Sequence, residues 1–207
     1  MDRLHKLMIL FCCAVLSAGC SKEAVRTADE DGVMKFRMSY PGATKVAGND
    51  FEQNDKIGLF VVEQKDGNQI PLQISGNWAN NVPTSLTADG WIPEKKIFWS
   101  ENIVDVYGYY PYMSLSSVDE QPFAIALDQT TETTAEGLGG LEVSDFLWAK
   151  TAGAEQSQET VALQFRHCMS KFVVKLVKGP DYEGDFPENA NMYLHNTVTT
   201  AHLDLVN

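Results

Sequence analysis

From Val33 onward the chain alternates apolar and polar residues with a period of two, and it carries almost no stretch with helical spacing. That pattern restricts it more than any other feature, because a strand turns successive side chains to opposite faces. Ile57, Leu59 and Val61 interleave with Gly58, Phe60 and Val62, so both faces of Lys56 to Glu63 are apolar and a strand inside a sandwich is predicted. Asp66-Gly67 tolerates positive φ and predicts a hairpin between that strand and Gln69 to Ile74. Asp89-Gly90 predicts another turn before Trp91, and Ile97-Phe98-Trp99 a short strand. Ile103 to Tyr110 alternates until Pro111, which lacks the ladder N–H. Phe123 to Asp128, Phe146 to Trp148, Val161 to Arg166 and Phe172 to Val177 continue the pattern, and Gly179-Pro180 ends it. After the loop-like run 181–191, alternation resumes from Met192 to Val206. Many short strands with frequent turns and no long helix predict an all-β, antiparallel β-sandwich.

The first twenty residues obey a different logic. Arg3 and Lys6 precede the uncharged run Leu7 to Ala18, which is too short for a permanent transmembrane helix but fits a secretory signal. Leu16-Ser17-Ala18-Gly19-Cys20 resembles the lipobox of bacterial lipoproteins. That resemblance implies cleavage between Gly19 and Cys20 and acylation of Cys20, with several acyl chains giving a stable anchor. It divides the chain into a signal peptide at 1–19, a polar tether at 20–33, and the body. Ser21 follows the cysteine where an inner-membrane retention signal would place Asp, so the outer membrane is the expected location. An ordinary secretory signal with a chance cysteine is the plainer alternative.

Charge and cysteine content narrow the partners. The formal net charge of −12 opposes binding to nucleic acid and adsorption to anionic lipid. Cys168 is the sole cysteine in the body, which excludes a disulfide framework. No catalytic, cofactor or metal residue is assigned. Gly137 to Gly140 lacks the context of a dinucleotide fingerprint, and neither a nucleophile elbow nor a phosphate loop occurs. His167 and Cys168 are adjacent, so on a strand they face opposite ways, and His195 and His202 read as surface histidines. Asp181, Glu183 and Asp185 resemble half a calcium loop, but Met192 stands where a bidentate Glu is needed. The chain is therefore expected not to be an enzyme.

Five segments in order resemble the fimbrillin family, the surface proteins of Gram-negative anaerobes. They are Phe51 to Val61 with its F-x-x-x-D-x-I-G run, Ile97 to Trp99, Val104 to Tyr112, Ser144 to Ala149, and Leu163 to Phe172. The resemblance implies a transthyretin-like sandwich for residues 34–178 and a role as a fimbrial subunit or fimbria-associated lipoprotein. Its implied partners are other fimbrial subunits, joined by strand exchange. It also implies a first strand from Met34 to Tyr40 that a protease can remove, leaving a groove for a neighbour's strand. Lys45 is then the candidate processing site, where many members carry Arg. Residues 179–207 are either a loop and last strand or the start of a second sandwich. A different reading is a glycan-binding lipoprotein, which requires an exposed row of Tyr109, Tyr112 or Trp78. A lipoprotein enzyme is a third, and it requires a cleft with converging acids.

Overall fold

Two strands with apolar residues on both faces form the middle of the protein. β2 (Lys56–Glu63) pairs antiparallel with β5 (Val104–Tyr110), and every residue of β5 is buried. The computed structural model describes residues 32–39, 51–188 and 192–207. Beside β2 lies β3 (Ala79–Thr87), followed by β4 (Gly90–Pro93). Beside β5 lies β7 (Leu147–Ala154), capped by the two-residue β9 (Arg166–His167). This six-stranded antiparallel sheet has the order β4-β3-β2-β5-β7-β9.

Each face of the sheet has its own cover. Ile57, Leu59, Val61, Val104, Val106 and Leu147 pack against residues of β1 (Phe36–Ser39) and β8 (Val161–Gln164). Phe60, Val62, Tyr107 and Tyr109 pack on the other face, against β6 (Gln121–Ala124), β10 (Thr200–Leu203), Leu72, Val118 and Leu205. The double-sided apolar pattern of β2 is thus satisfied by two cores, and the fold is all-β as expected. One five-residue helix, α1 (Gly140–Ser144), interrupts the strands. Among the described residues the pairing is antiparallel except between β1 and β8, which run parallel. No hairpin joins those two strands, so no tight turn fixes their relative direction.

Several elements differ from their predicted form. The Asp66-Gly67 turn forms, with φ of 52° and 73° and Lys65 bridged to Asn68. Residues 69–74 do not return along β2, however. Pro71 cannot donate to a ladder, only Leu72 turns inward, and Asn77 ties the backbone of Gln73 into a loop. The partner of β2 is instead β3, whose Asn80, Asn81 and Pro83 disguise it as a loop. Pro83 is tolerated because its carbonyl accepts from Glu94 N at 2.8 Å, just past the end of β4. Its missing N–H faces that same side and removes nothing from the β2 ladder. Ile97 to Trp99 is not a strand but a single bridge from Phe98 to Val33. Phe172 to Val177 is not in a strand either, and within Met192 to Val206 only β10 is regular.

Asp105 holds a β-bulge. The β5–β7 register slips between Val104 and Val106, and Gly153 takes φ 70° opposite the slip. Asp105 Oδ1 accepts from Gly153 N and from Gln64 Nε2, both at 2.9 Å, whereas its buried Oδ2 has no partner among the described residues. Asp105→Asn keeps the working oxygen and is expected to change stability by less than about 1 kcal/mol, while Asp105→Ala strands two donors and costs about 1–3 kcal/mol. Urea denaturation of the two variants checks the ordering.

Candidate functional site

The residues around β1 form the site with the clearest construction. Phe36, Arg37, Met38 and Ser39 lie opposite Val161, Ala162, Leu163 and Gln164. Two backbone bonds flank this ladder, Val161 N to Lys35 O and Phe165 N to Ser39 O, both 2.8 Å. On the opposite side Met34 N donates to Ile97 O at 2.8 Å and Trp99 N to Gly32 O at 2.7 Å. The start of this segment therefore sits between β8 and residues 97–99. Alternation does the rest: Met34 and Phe36 are buried and Met38 half-buried, while Lys35, Arg37 and Ser39 point to solvent.

Below β1 the floor is fully apolar. Val161, Leu163 and Phe165 are completely buried, and Trp91, Trp99 and Phe51 pack against the same core. Phe51 makes edge contacts with Trp91, Tyr110 and Phe165 at centroid distances of 4.9, 5.7 and 5.3 Å. Withdrawing β1 would expose this floor and strip the edge of β8 of its partners, and burying each large apolar side chain of β1 contributes about 2–3 kcal/mol. Nothing in the spacing of Trp91 and Trp99 assigned them here; the local signals were only the turn before Trp91 and the short apolar run ending at Trp99.

The motif residues meet in pairs around this core. Asp55 Oδ2 accepts from Glu52 N at 2.7 Å, and Tyr110 Oη donates to Asp55 Oδ1 at 3.2 Å. Burial raises the Asp55 carboxyl above its ordinary range, opposed by these hydrogen bonds. The folded state therefore holds this proton more tightly than the unfolded chain does. The group's contribution to stability then declines as pH rises through the interval from about 3.8 upward. Asp55→Asn is expected to remove that slope from a stability–pH profile, which chemical denaturation at several pH values would show. Gly58 lies directly across from Tyr109, whose hydroxyl is 2.6 Å from Asn81 Oδ1 and 2.7 Å from Met113 O. Burial pushes the Tyr109 hydroxyl well above its ordinary titration range, so it serves as a neutral donor. His167 Nδ1 is 2.8 Å from Asp145 Oδ1, linking two more of the motif segments, and Arg166 stacks over Trp148 at 4.5 Å.

The other sequence-assigned residues are dispersed. Gly19, Cys20 and Lys45 lie outside the described residues. Tyr109 is buried and Tyr112 half-buried, so the aromatic row required for glycan stacking is reduced to Trp78, which is 47% exposed and donates from Nε1 to Phe98 O at 2.8 Å. His195, His202 and Cys168 are exposed. Among the described residues no three His, Cys, Asp or Glu side chains converge as a metal site. Asp185 contacts Lys178 Nζ at 3.4 Å.

No curated protein sequence matches the chain. Two solved structures from Bacteroides ovatus resemble it in part. One is a fimbrial protein, 22% identical, with a TM-score of 0.40, covering 65% of this chain and 28% of that one. The other is a candidate cell adhesion protein, 18% identical, with a TM-score of 0.47, covering 65% of this chain and 52% of that one. The chain thus spans well under two thirds of either structure. The profile of the fimbrillin-like family matches residues 44–207, and by that match over most of its length the chain belongs to the fimbrillin-like family.

Proposed function

We propose that this protein is a non-catalytic subunit of fimbriae, or a fimbria-associated surface lipoprotein, that joins its neighbours by strand addition at the place of β1 and supports adhesion. In this reading a lipid on Cys20 holds an uncut subunit to the outer membrane, whereas in a processed subunit a cut after Lys45 frees the first strand and the lipid with it. Residues 34–178 act as the assembling sandwich, with 179–207 contributing its last strand, a reading favoured by the pairing of β10 with β6. The observation that carries the proposal is the way β1 is held. It is a short N-terminal strand whose inward side chains fill a core built by distant segments, and no tight turn ties it to its neighbour β8. A strand of like pattern could satisfy the same backbone groups and the same floor.

Mass spectrometry of the outer-membrane fraction tests this. An acylated Cys20 peptide identifies an anchored subunit, and a new N-terminus at Val46 a processed one. Protein found only in soluble form, with neither species, contradicts the proposal. A glycan-binding role retains one supporting observation, the exposed Trp78 beside the 48%-exposed Phe98. Sugar-array binding that is abolished by Trp78→Ala would favour it.

A further inference from the structure

The described body begins at Gly32, and two aromatic rings and three cations lie along the segment that starts there. Trp99 N donates to Gly32 O at 2.7 Å and Met34 N to Ile97 O at 2.8 Å, so Val33 and Phe98 face each other as an antiparallel pair. Opposed residues of such a pair turn their side chains to the same face. Phe98 is therefore outward on the face that also carries Lys35 and Arg37, and the same register sets Lys96 across from Lys35. Trp78 joins them: its Nε1 donates to Phe98 O at 2.8 Å, so the indole is held in place while its ring stays exposed. Lys35, Arg37 and Lys96 are exposed, and the outward residues of β8 beside them, Ala162 and Gln164, carry no charge.

Exposed aromatics flanked by cations are the composition of a surface that meets a bilayer. Aromatic rings favour the boundary between headgroups and acyl chains, and Lys and Arg favour the phosphates above it. The position of the patch supplies the occupant. Twelve residues, Cys20 to Asp31, lie between the expected acylation site and Gly32, and an extended chain of that length reaches at most about 40 Å. The formal net charge of −12 opposes capture of the chain from solution by an anionic surface. A lipid on Cys20 overcomes this by holding the patch at high local concentration beside one bilayer.

Resting on the lipid-anchor reading above, we propose that Trp78, Phe98, Lys35, Arg37 and Lys96 form a second contact with the membrane, docking on its anionic phospholipid headgroups. The contact belongs to the uncut subunit, because a cut after Lys45 removes Lys35 and Arg37 together with the lipid. It turns the outward face of β1 to the bilayer for as long as the anchor is kept.

The test uses the mature chain from Cys20 with Cys168→Ser, which leaves one thiol. That thiol is coupled to a maleimide lipid in vesicles of phosphatidylethanolamine and phosphatidylglycerol with brominated acyl chains. Bromine quenches tryptophan emission only at short range, so the coupled parent should be quenched, and the quenching should fall about threefold or more in Trp78→Phe. Lys35→Glu with Arg37→Glu changes two exposed positions, so this variant should melt like the parent, but its ratio of docked to undocked chain should fall about tenfold or more. Replacing phosphatidylglycerol by phosphatidylcholine should weaken docking of the parent in the same way. Equal quenching of the parent and Trp78→Phe, or quenching that ignores both the charge variant and the headgroup, overturns the contact. Absent quenching together with Trp78-dependent binding to a sugar array assigns the patch to a glycan and overturns it too. Because the coupling is chemical, these results stand apart from the anchor reading, which fails instead if Cys20 carries no lipid in cells.

Discussion

Gly58→Ala should destabilise the protein by about 3 kcal/mol or more, at the upper end of the cost of overpacking a core. A methyl at this position would overlap the ring of Tyr109 and lie 2.6 Å from Asn81 Oδ1. Neither neighbour can retreat. Tyr109 is fully buried, packed beside Phe60 and Phe146, and its hydroxyl is fixed between Asn81 and Met113. Asn81 in turn donates to Met113 O at 3.0 Å. The glycine is therefore required by the close approach across the β2–β5 ladder and not by its own backbone angles. Urea denaturation of Gly58→Ala, Tyr109→Leu and the double variant checks this. The double variant should cost clearly less than the sum of the singles, since the smaller side chain removes the clash. Additive losses would contradict the account.

Phe165→Ala should cost about 4 kcal/mol, within the usual range for truncating a buried phenylalanine. Phe165 is completely buried, meets Phe51 edge-on, and its ring tip lies where a side chain on Gly108 would have to go, 2.9 Å from a Cβ built there. It also stands between β8 and β9, where the chain leaves the small β1–β8 pair and enters the six-stranded sheet. Truncation thus opens a cavity under β1 and loosens two layers together. Thermal and urea unfolding should both show the loss, and hydrogen exchange should show β1 losing protection first. A loss below about 1 kcal/mol would mean that the floor beneath β1 is not the packed core described here.

These two residues also show how far the sequence could be read. The double-sided alternation around Gly58 predicted a strand covered on both faces, and β2 is one with the boundaries expected, because burial on two faces leaves an unambiguous apolar run. β5 was legible for the same reason, with Pro111 as its stop. β3 was not, since Asn81 and Pro83 are held there through contacts with Met113 and Glu94 that no local pattern encodes. Phe172 to Val177 has strand periodicity without a partner strand among the described residues, so local preference alone did not place it in a sheet. The parallel direction of β1 on β8 likewise depends on packing across most of the chain. Of the candidate site, the alternation of Phe36 and Met38 was visible, whereas its floor of Trp91, Trp99 and Phe165 required the fold.

The most direct measurement of the central idea is the mass distribution of the chain after cleavage behind Lys45, by sedimentation velocity, with and without excess peptide spanning Gly32 to Lys45. If the place of β1 is the joint between subunits, the cut chain forms a ladder of oligomers and the peptide returns it to monomer. A cut chain that stays monomeric after its first strand has been released, or oligomers that ignore the peptide, would contradict it.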